Sequence, residues 1–249
     1  LVANDFNGFM LFRIALINEL LKSDNDVHLI CPKFNNDHEV LINKPILSGL
    51  KIHQIDFDRK SLSIFKEIKS FFLIFKEIKK IGPEVVFSST IKVNIYSMIS
   101  SYILRIKKRI MLVNGLGTIF RTKSVTGVLQ RFIQKAFYFA ISFSTDIIFQ
   151  NLDDKNLLLK KKIMSPLKEF TYIKGSGVDV NLFSFKENIV QNKSIHFLMA
   201  SRLLKSKGVR EYFQACKLLH AEGYNFDATL IGDLDGGPDA IEANFLLEI

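Results

Sequence analysis

The 249-residue sequence contains no tryptophan, two cysteines, five prolines and five histidines. Cys31 and Cys216 stand far apart and in no metal-ligand spacing, which argues against a disulfide framework and against a zinc site. Both read as thiols of a reducing compartment. No apolar run reaches the ~20 residues that span a bilayer, because charges such as Lys76 and Asp146 interrupt the candidates. No secretory leader, internal repeat or low-complexity segment is visible. The sequence opens on Leu1-Val2-Ala3-Asn4, read as the end of a strand, and residues 244–249 read as the middle of a helix. It is therefore expected to be a fragment at both ends.

What is present is globular. Hydrophobic residues make up 48% and charged residues 24%, enough apolar material for a core and too much for disorder. The net charge of +9 is unevenly placed: residues 1–170 carry 26 Lys and Arg against 15 Asp and Glu, whereas residues 171–249 carry 8 against 10. A basic half beside a near-neutral half points to an anionic surface or ligand.

Strand and helix signals alternate. Short apolar runs at Asp26–Cys31, Leu50–Ile55, Glu84–Phe87, Arg109–Val113 and Asp146–Phe149 read as strands. Helical spacing covers Phe12–Leu21, Ser61–Lys80, Val93–Leu104 and Val128–Phe143, with Gly82-Pro83 ending the second. On Ser61–Lys80, Phe65, Ile68, Phe72, Phe75 and Ile78 share a face. Pro166–Asn181 reads as a connection. Ile195–Ala200, expected to be a buried strand, opens a second series with a helix over Val209–Ala221 and a strand at Ala228–Ile231. Such alternation predicts α/β architecture with mostly parallel sheets.

The strongest chemical signal is Ser201-Arg202-Leu203-Leu204-Lys205-Ser206-Lys207-Gly208, between a strand and a helix. Ligands gather beyond the carboxyl ends of parallel strands. Arg202 offers paired donors there and Lys207 a point charge, which suits a diphosphate. Gly208 opens a helix whose first N–H groups also favour anions. On charge alone, a solvated basic turn fits as well. Asn7-Gly8 after the first strand and Asn114-Gly115-Leu116-Gly117-Thr118 after another have loop chemistry that lets backbone amides approach a phosphate.

Four segments in order resemble the retaining family-4 glycosyltransferases of the GT-B fold, in the branch that builds surface polysaccharides and lipid-linked glycans. They are Val113–Phe120, Gly175-Ser176-Gly177-Val178-Asp179 with Phe183, the Arg202…Lys207-Gly208 run, and Thr229-Leu230-Ile231-Gly232-Asp233 with Gly237-Pro238. The resemblance implies two Rossmann-like domains, the second incomplete: an acceptor-side domain at 1–170, a connection at 171–190 and part of a donor-side domain at 191–249. It implies transfer of a hexose or N-acetylhexosamine from a nucleotide-diphosphate sugar, UDP-linked, with retention and without metal or cofactor. Arg202 and Lys207 would be catalytic, stabilising the leaving diphosphate. Donor binding would add Gly208, Gly232 and Asp233; the acceptor-side loops would supply Asn7, Gly8, Asn114, Gly115, Gly117 and Thr118. The acceptor would be a glycan or a polyprenyl-diphosphate-linked glycan at the cytoplasmic face of the membrane.

Two departures qualify this. No histidine stands in residues 113–120, so no catalytic histidine is assigned. The family's C-terminal Glu…Glu motif is absent, Glu242 and Glu248 reading as solvated charges, so the 249 residues are expected to be inactive alone. A second enzyme on the same fold, a sugar-nucleotide epimerase, would need acid/base groups not found here. A non-catalytic basic module would instead use the lysines interleaved with apolar residues over 59–80 to dock on an anionic membrane. No nucleic-acid recognition motif is seen. A disrupted product that folds poorly, with its second domain open on one side, is a further alternative.

Overall fold

The fold is that of a computed structural model, which describes residues 1–34, 48–57, 63–117, 120, 127–181, 183–185, 194–234, 239–242 and 244–245. Thr118, His38, Arg59, Lys60, Gly237, Pro238 and Glu248 lie outside the described residues. The chain divides into two compact units, residues 1–183 and 184–249.

The first unit holds strands β1 (His28–Pro32), β2 (Lys51–Ile55), β3 (Val85–Ser89), β4 (Lys108–Val113), β5 (Asp146–Phe149) and β6 (Thr171–Tyr172). Its helices are α1 (Phe6–Lys22), α2 (Ile64–Ile81), α3 (Ile91–Ile103), α4 (Gly127–Phe143) and α5 (Leu152–Lys160). Every strand pair is parallel. Val2 bridges β1 and β3; its amide donates to the Phe87 carbonyl, and that of Ala3 to Ile30, both at 2.9 Å. The order is thus β2-β1-(residues 1–3)-β3-β4-β5-β6. Sequence order runs outward in both directions from residues 1–3, the topological switch point at which doubly wound sheets form their crevice.

Right-handed crossovers then place α1 on one face and α2, α3 and α4 on the other. The core splits accordingly. Phe6, Phe9, Met10, Ile17, Leu29 and Cys31 cluster under α1, and a larger cluster including Ile74, Ile78, Met98, Phe137 and Phe149 fills the opposite side. The segment read as a connection contributes β6, two residues paired with β5.

Two helices differ from their sequence pattern. α1 begins at Phe6 because Asp5, in extended conformation, caps it by accepting the Gly8 amide at 2.8 Å. Its buried face is Phe6, Phe9, Met10, Arg13 and Ile17, and Phe12 is exposed. In α2, closed by Gly82 in the left-handed conformation, the buried residues are Ser70, Ile74 and Ile78. Phe65, Ile68 and Phe72 face solvent.

A four-membered polar array crosses β1, β2 and α2. His28 Nδ1 and His53 Nε2 lie 2.8 Å apart; Asp26 contacts His28 at 3.2 Å and Glu77 contacts His53 at 3.3 Å. Burial, followed by the charge of His28, lowers the His53 pKa, and Glu77 only partly offsets this. The folded state therefore favours the neutral form of His53 more than the unfolded chain does. Its contribution to stability is complete above the unfolded value near 6.5 and is lost as pH falls below it. The unfolding midpoint is expected to drop by a few degrees between pH 7.5 and pH 5.5, and His53→Gln to flatten that slope; calorimetry at both pH values checks this.

The second unit holds β7 (Ile195–Ala200), a single 3₁₀ turn (Lys205–Lys207), α6 (Val209–Ala221) and β8 (Phe226–Ile231). β7 and β8 pair in parallel, and Tyr212 on α6 reaches the carbonyls of Phe197 and Thr229. β7, expected to be buried, is mostly exposed. A buried parallel strand needs cover on both faces, and among the described residues only α6 supplies a packed helix here.

Candidate active site

In the second unit the expected donor-side residues converge at the carboxyl ends of β7 and β8. The strands meet closely there: the Ser201 amide donates to the Ile231 carbonyl at 3.0 Å. A Cβ on Gly232 would fall 1.8 Å from the Ser201 carbonyl oxygen, so no other residue fits without parting the strands. The Asp233 carbonyl accepts from the Leu203 amide at 3.1 Å. Leu203 is buried beside Val209 and Ile241, and Leu204 is buried next to it. These contacts fix the backbone on either side of Arg202 while leaving its side chain exposed.

The structure separates the two lysines of the motif. Lys205 pairs with Glu242 at 2.6 Å, and Arg210 pairs with the same carboxylate at 2.5 Å. Lys205, then the backbone and Arg210, hold the Glu242 carboxyl down at about 2. Glu242, expected to be a solvated charge, is thus the hub of an ion-pair cluster, because the chain after β8 folds back on residues 203–205. Lys207 is exposed and has no ion pair among the described residues. Gly208 takes a left-handed φ of 81°, which turns the 3₁₀ segment directly into α6.

In the first unit, Asn7, Gly8, Asn114, Gly115 and Gly117 all lie along the carboxyl edge of the sheet. Asn114, Gly115 and Gly117 are exposed, while Leu116 between them is fully buried and pins the loop. Gly8 sits in the first turn of α1, where its amide donates to Asp5 Oδ2 at 2.8 Å.

Four residues of this edge, Arg13, Gln150, Asn94 and Thr90, escaped the sequence reading. Arg13, 8% exposed, donates to the Phe12 carbonyl at 2.9 Å and to Ser176 Oγ at 2.7 Å; burial lowers its pKa. Gln150 also donates to Ser176, at 3.2 Å. Asn94, fully inside, accepts from Ser88 at 2.8 Å and donates to the Leu112 carbonyl at 2.9 Å, locking α3 between β3 and β4. Thr90 has φ 76° and ψ 152°, rare for a β-branched residue, and its buried hydroxyl has no partner among the described residues. Only Arg13 left a trace in the sequence, as a cation in register with Phe9, Met10 and Ile17. Among the described residues no cluster of His, Cys, Asp and Glu could hold a metal.

Parallel sheets, a switch point and glycine loops at the strand ends define the α/β architecture of GT-B proteins. The chain belongs to the glycosyl transferase 4-like family, whose model matches residues 1–151. It is 26% identical over 247 residues to an N,N'-diacetylbacillosaminyl-diphospho-undecaprenol α-1,3-N-acetylgalactosaminyltransferase of Campylobacter jejuni, covering 94% of this chain and 63% of that protein. It is 25% identical over 198 residues to the capsular polysaccharide biosynthesis glycosyltransferase CapM of Staphylococcus aureus, covering 76% and 51%. The chain thus spans between half and two thirds of these relatives. Among solved structures, Anabaena HepE in complex with UDP and glucose superposes with TM-score 0.58 at 11% identity, covering 94% of this chain and 69% of that one. The UDP-GlcNAc 2-epimerase of Neisseria meningitidis bound to UDP-GlcNAc superposes at 0.59, also at 11% identity, covering 94% and 72%. These two likenesses establish fold alone.

Proposed function

We propose that the protein transfers a hexose or N-acetylhexosamine from a UDP-linked sugar to a glycan or polyprenyl-diphosphate-linked acceptor during surface polysaccharide synthesis, with retention and without metal. The observation that carries this reading is the family match across residues 1–151, and the names of both relatives agree with it. In this reading residues 1–170 serve the acceptor, residues 171–190 connect, and residues 191–249 begin the donor side.

Charge builds on the leaving diphosphate as the sugar departs. A fixed guanidinium and ammonium stabilise that charge more than they stabilise the substrate. Arg202 and Lys207 are assigned this role. Gly208, Gly232 and Asp233 shape the donor side, and Asn7, Gly8 and the 114–118 loop border the acceptor. A lipid-linked acceptor places the work at the cytoplasmic face of the membrane.

The test is thermal unfolding of the full-length gene product with UDP, GDP and their sugars. A ligand of the native state raises the midpoint, by about 2.7 kcal/mol of stabilisation at a hundredfold excess over Kd. A shift with UDP and none with GDP is expected. A cooperative melt that no nucleotide moves would sink the assignment. Recovery of an epimerised nucleotide sugar, with no transfer, would replace it by the epimerase reading that the fold equally allows.

A further inference from the structure

Helix α2 carries two apolar faces, and only one meets the core. At 100° per residue, the buried Ser70, Ile74 and Ile78 occupy one arc. Ile64, Phe65, Ile68 and Phe72 occupy another and are exposed, Phe65 at 86% and Phe72 at 61%. Lys66, Lys69 and Lys76 fall on the arc next to this second stripe and are exposed too. Helix α4 repeats the arrangement. Its buried residues are Phe137, Ala140 and Ile141, while Val128 at 80% and Phe132 at 70% face solvent beside Arg131 and Lys135.

The two stripes belong to one side of the first unit. α2 packs on α3, and α3 on α4. Both stripes also begin at the same end. The first turns of α2 are tied to the end of β2 by Lys69–Asp56 at 2.5 Å and to the start of α3 by Lys92–Glu67 at 2.7 Å. The C-terminus of α4 lies by the start of β4, where the Phe143 carbonyl accepts from Arg109 and the Phe143 ring stacks on Tyr102 at 4.0 Å. Its N-terminus with Val128 and Phe132 is therefore at the opposite, carboxyl edge of the sheet, the edge of the Asn114–Gly117 loop.

We infer that the N-terminal halves of α2 and α4 form a docking surface for an anionic lipid bilayer. Large exposed apolar side chains bordered by lysines are the composition of an interfacial helix, which buries its apolar stripe at the headgroup boundary while its basic flank meets anionic lipid. Isolated exposed apolar residues need no explanation, but clustered ones mark an interaction surface. The excess of positive charge in residues 1–170 selects a negatively charged partner. Among the described residues no helix is long and apolar enough to cross a membrane. The inference rests on the transferase reading only for its purpose: docking here would bring the carboxyl edge to a lipid-borne acceptor.

Vesicle co-sedimentation of the full-length gene product tests it, with phosphatidylcholine alone and with 30% phosphatidylglycerol. Binding to the anionic vesicles is expected, at least tenfold stronger than to the neutral ones. It should weaken on raising salt and fall about tenfold or more in the Phe65→Ser/Phe132→Ser variant. Each of Arg131→Glu and Lys135→Glu, beside Val128 and Phe132, should weaken it roughly fivefold. These positions are exposed, and an unchanged melting profile confirms that the variants fold. No binding to anionic vesicles, or binding that the phenylalanine variant leaves intact, overturns the inference. So does a stable dimer in sedimentation velocity that Phe65→Ser dissociates, since the patch then belongs to a second copy. Because vesicle binding needs no nucleotide, it can succeed where the nucleotide shift fails, and the two readings fall separately.

Discussion

Replacing Arg202 and Lys207 together by alanine is expected to weaken UDP-sugar binding by at least a hundredfold. Hydrogen bonds to charged groups contribute about 1.5–3 kcal/mol each, and losing two of them costs more than the ~2.8 kcal/mol that corresponds to two decades of affinity. Lys205→Ala is the control that gives the experiment its meaning. Lys205 lies in the same basic run but is held by Glu242 at 2.6 Å, so its removal should change affinity only a few fold. Titration calorimetry of the two variants decides the matter. Equal losses would mean that the run acts as a diffuse positive patch, and the assignment of Arg202 and Lys207 would fall.

Gly232→Ala is expected to unfold the second unit while sparing the first. The added methyl would sit 1.8 Å from a backbone oxygen of Ser201 and 2.9 Å from its carbonyl carbon. No rotamer relieves a clash between Cβ and main chain, so β7 and β8 must part at the end that carries Arg202 and Asp233. Overpacking of this kind costs about 3 kcal/mol or more, against a second unit whose buried cluster of Leu203, Val209 and Ile241 is small. Hydrogen exchange read by mass spectrometry should show protection lost across 195–200 and 226–231 and kept across 85–89 and 108–113. Unchanged protection across 195–200 would show that the strands separate there at little cost.

Much of this was legible in the residues. The strands announce themselves because a parallel strand covered on both faces must be continuously apolar, as Leu29–Cys31 and Ile147–Phe149 are. Glycine and proline at 82 and 83 end α2 for steric reasons that need no context. The misses have physical causes too. Asn7-Gly8 has turn chemistry, and only the capping bond from Asp5 shows that the helix has already begun. Two residues, Thr171 and Tyr172, are too short for any periodicity. On α2 the pattern put Phe65, Ile68, Phe72, Phe75 and Ile78 on one face, and of these only Ile78 is among the buried residues, because the helix meets the core through the arc of Ser70, Ile74 and Ile78 instead. In the candidate site, the motif placed Arg202 and both lysines in one run; the ion pair to Glu242, which sets Lys205 apart from Lys207, depends on the chain after β8 folding back on residues 203–205. Arg13 was hidden because an arginine at a core position looks like a break in a pattern until its serine partner, 163 positions away, is seen.

The uncovered strand pair of the second unit has a practical side. Ile195, Leu198 and Ile231 are exposed on β7 and β8, and among the described residues no further strand pairs with either margin of this two-stranded sheet, whose edge donors and acceptors can then add another chain. Concentrated solutions of the 249-residue chain should therefore become turbid through intermolecular strand addition at 195–200, while the six-stranded unit in the same molecules stays native. A lysine introduced at Leu198 would make the material easier to handle without touching a single residue of the proposed chemistry.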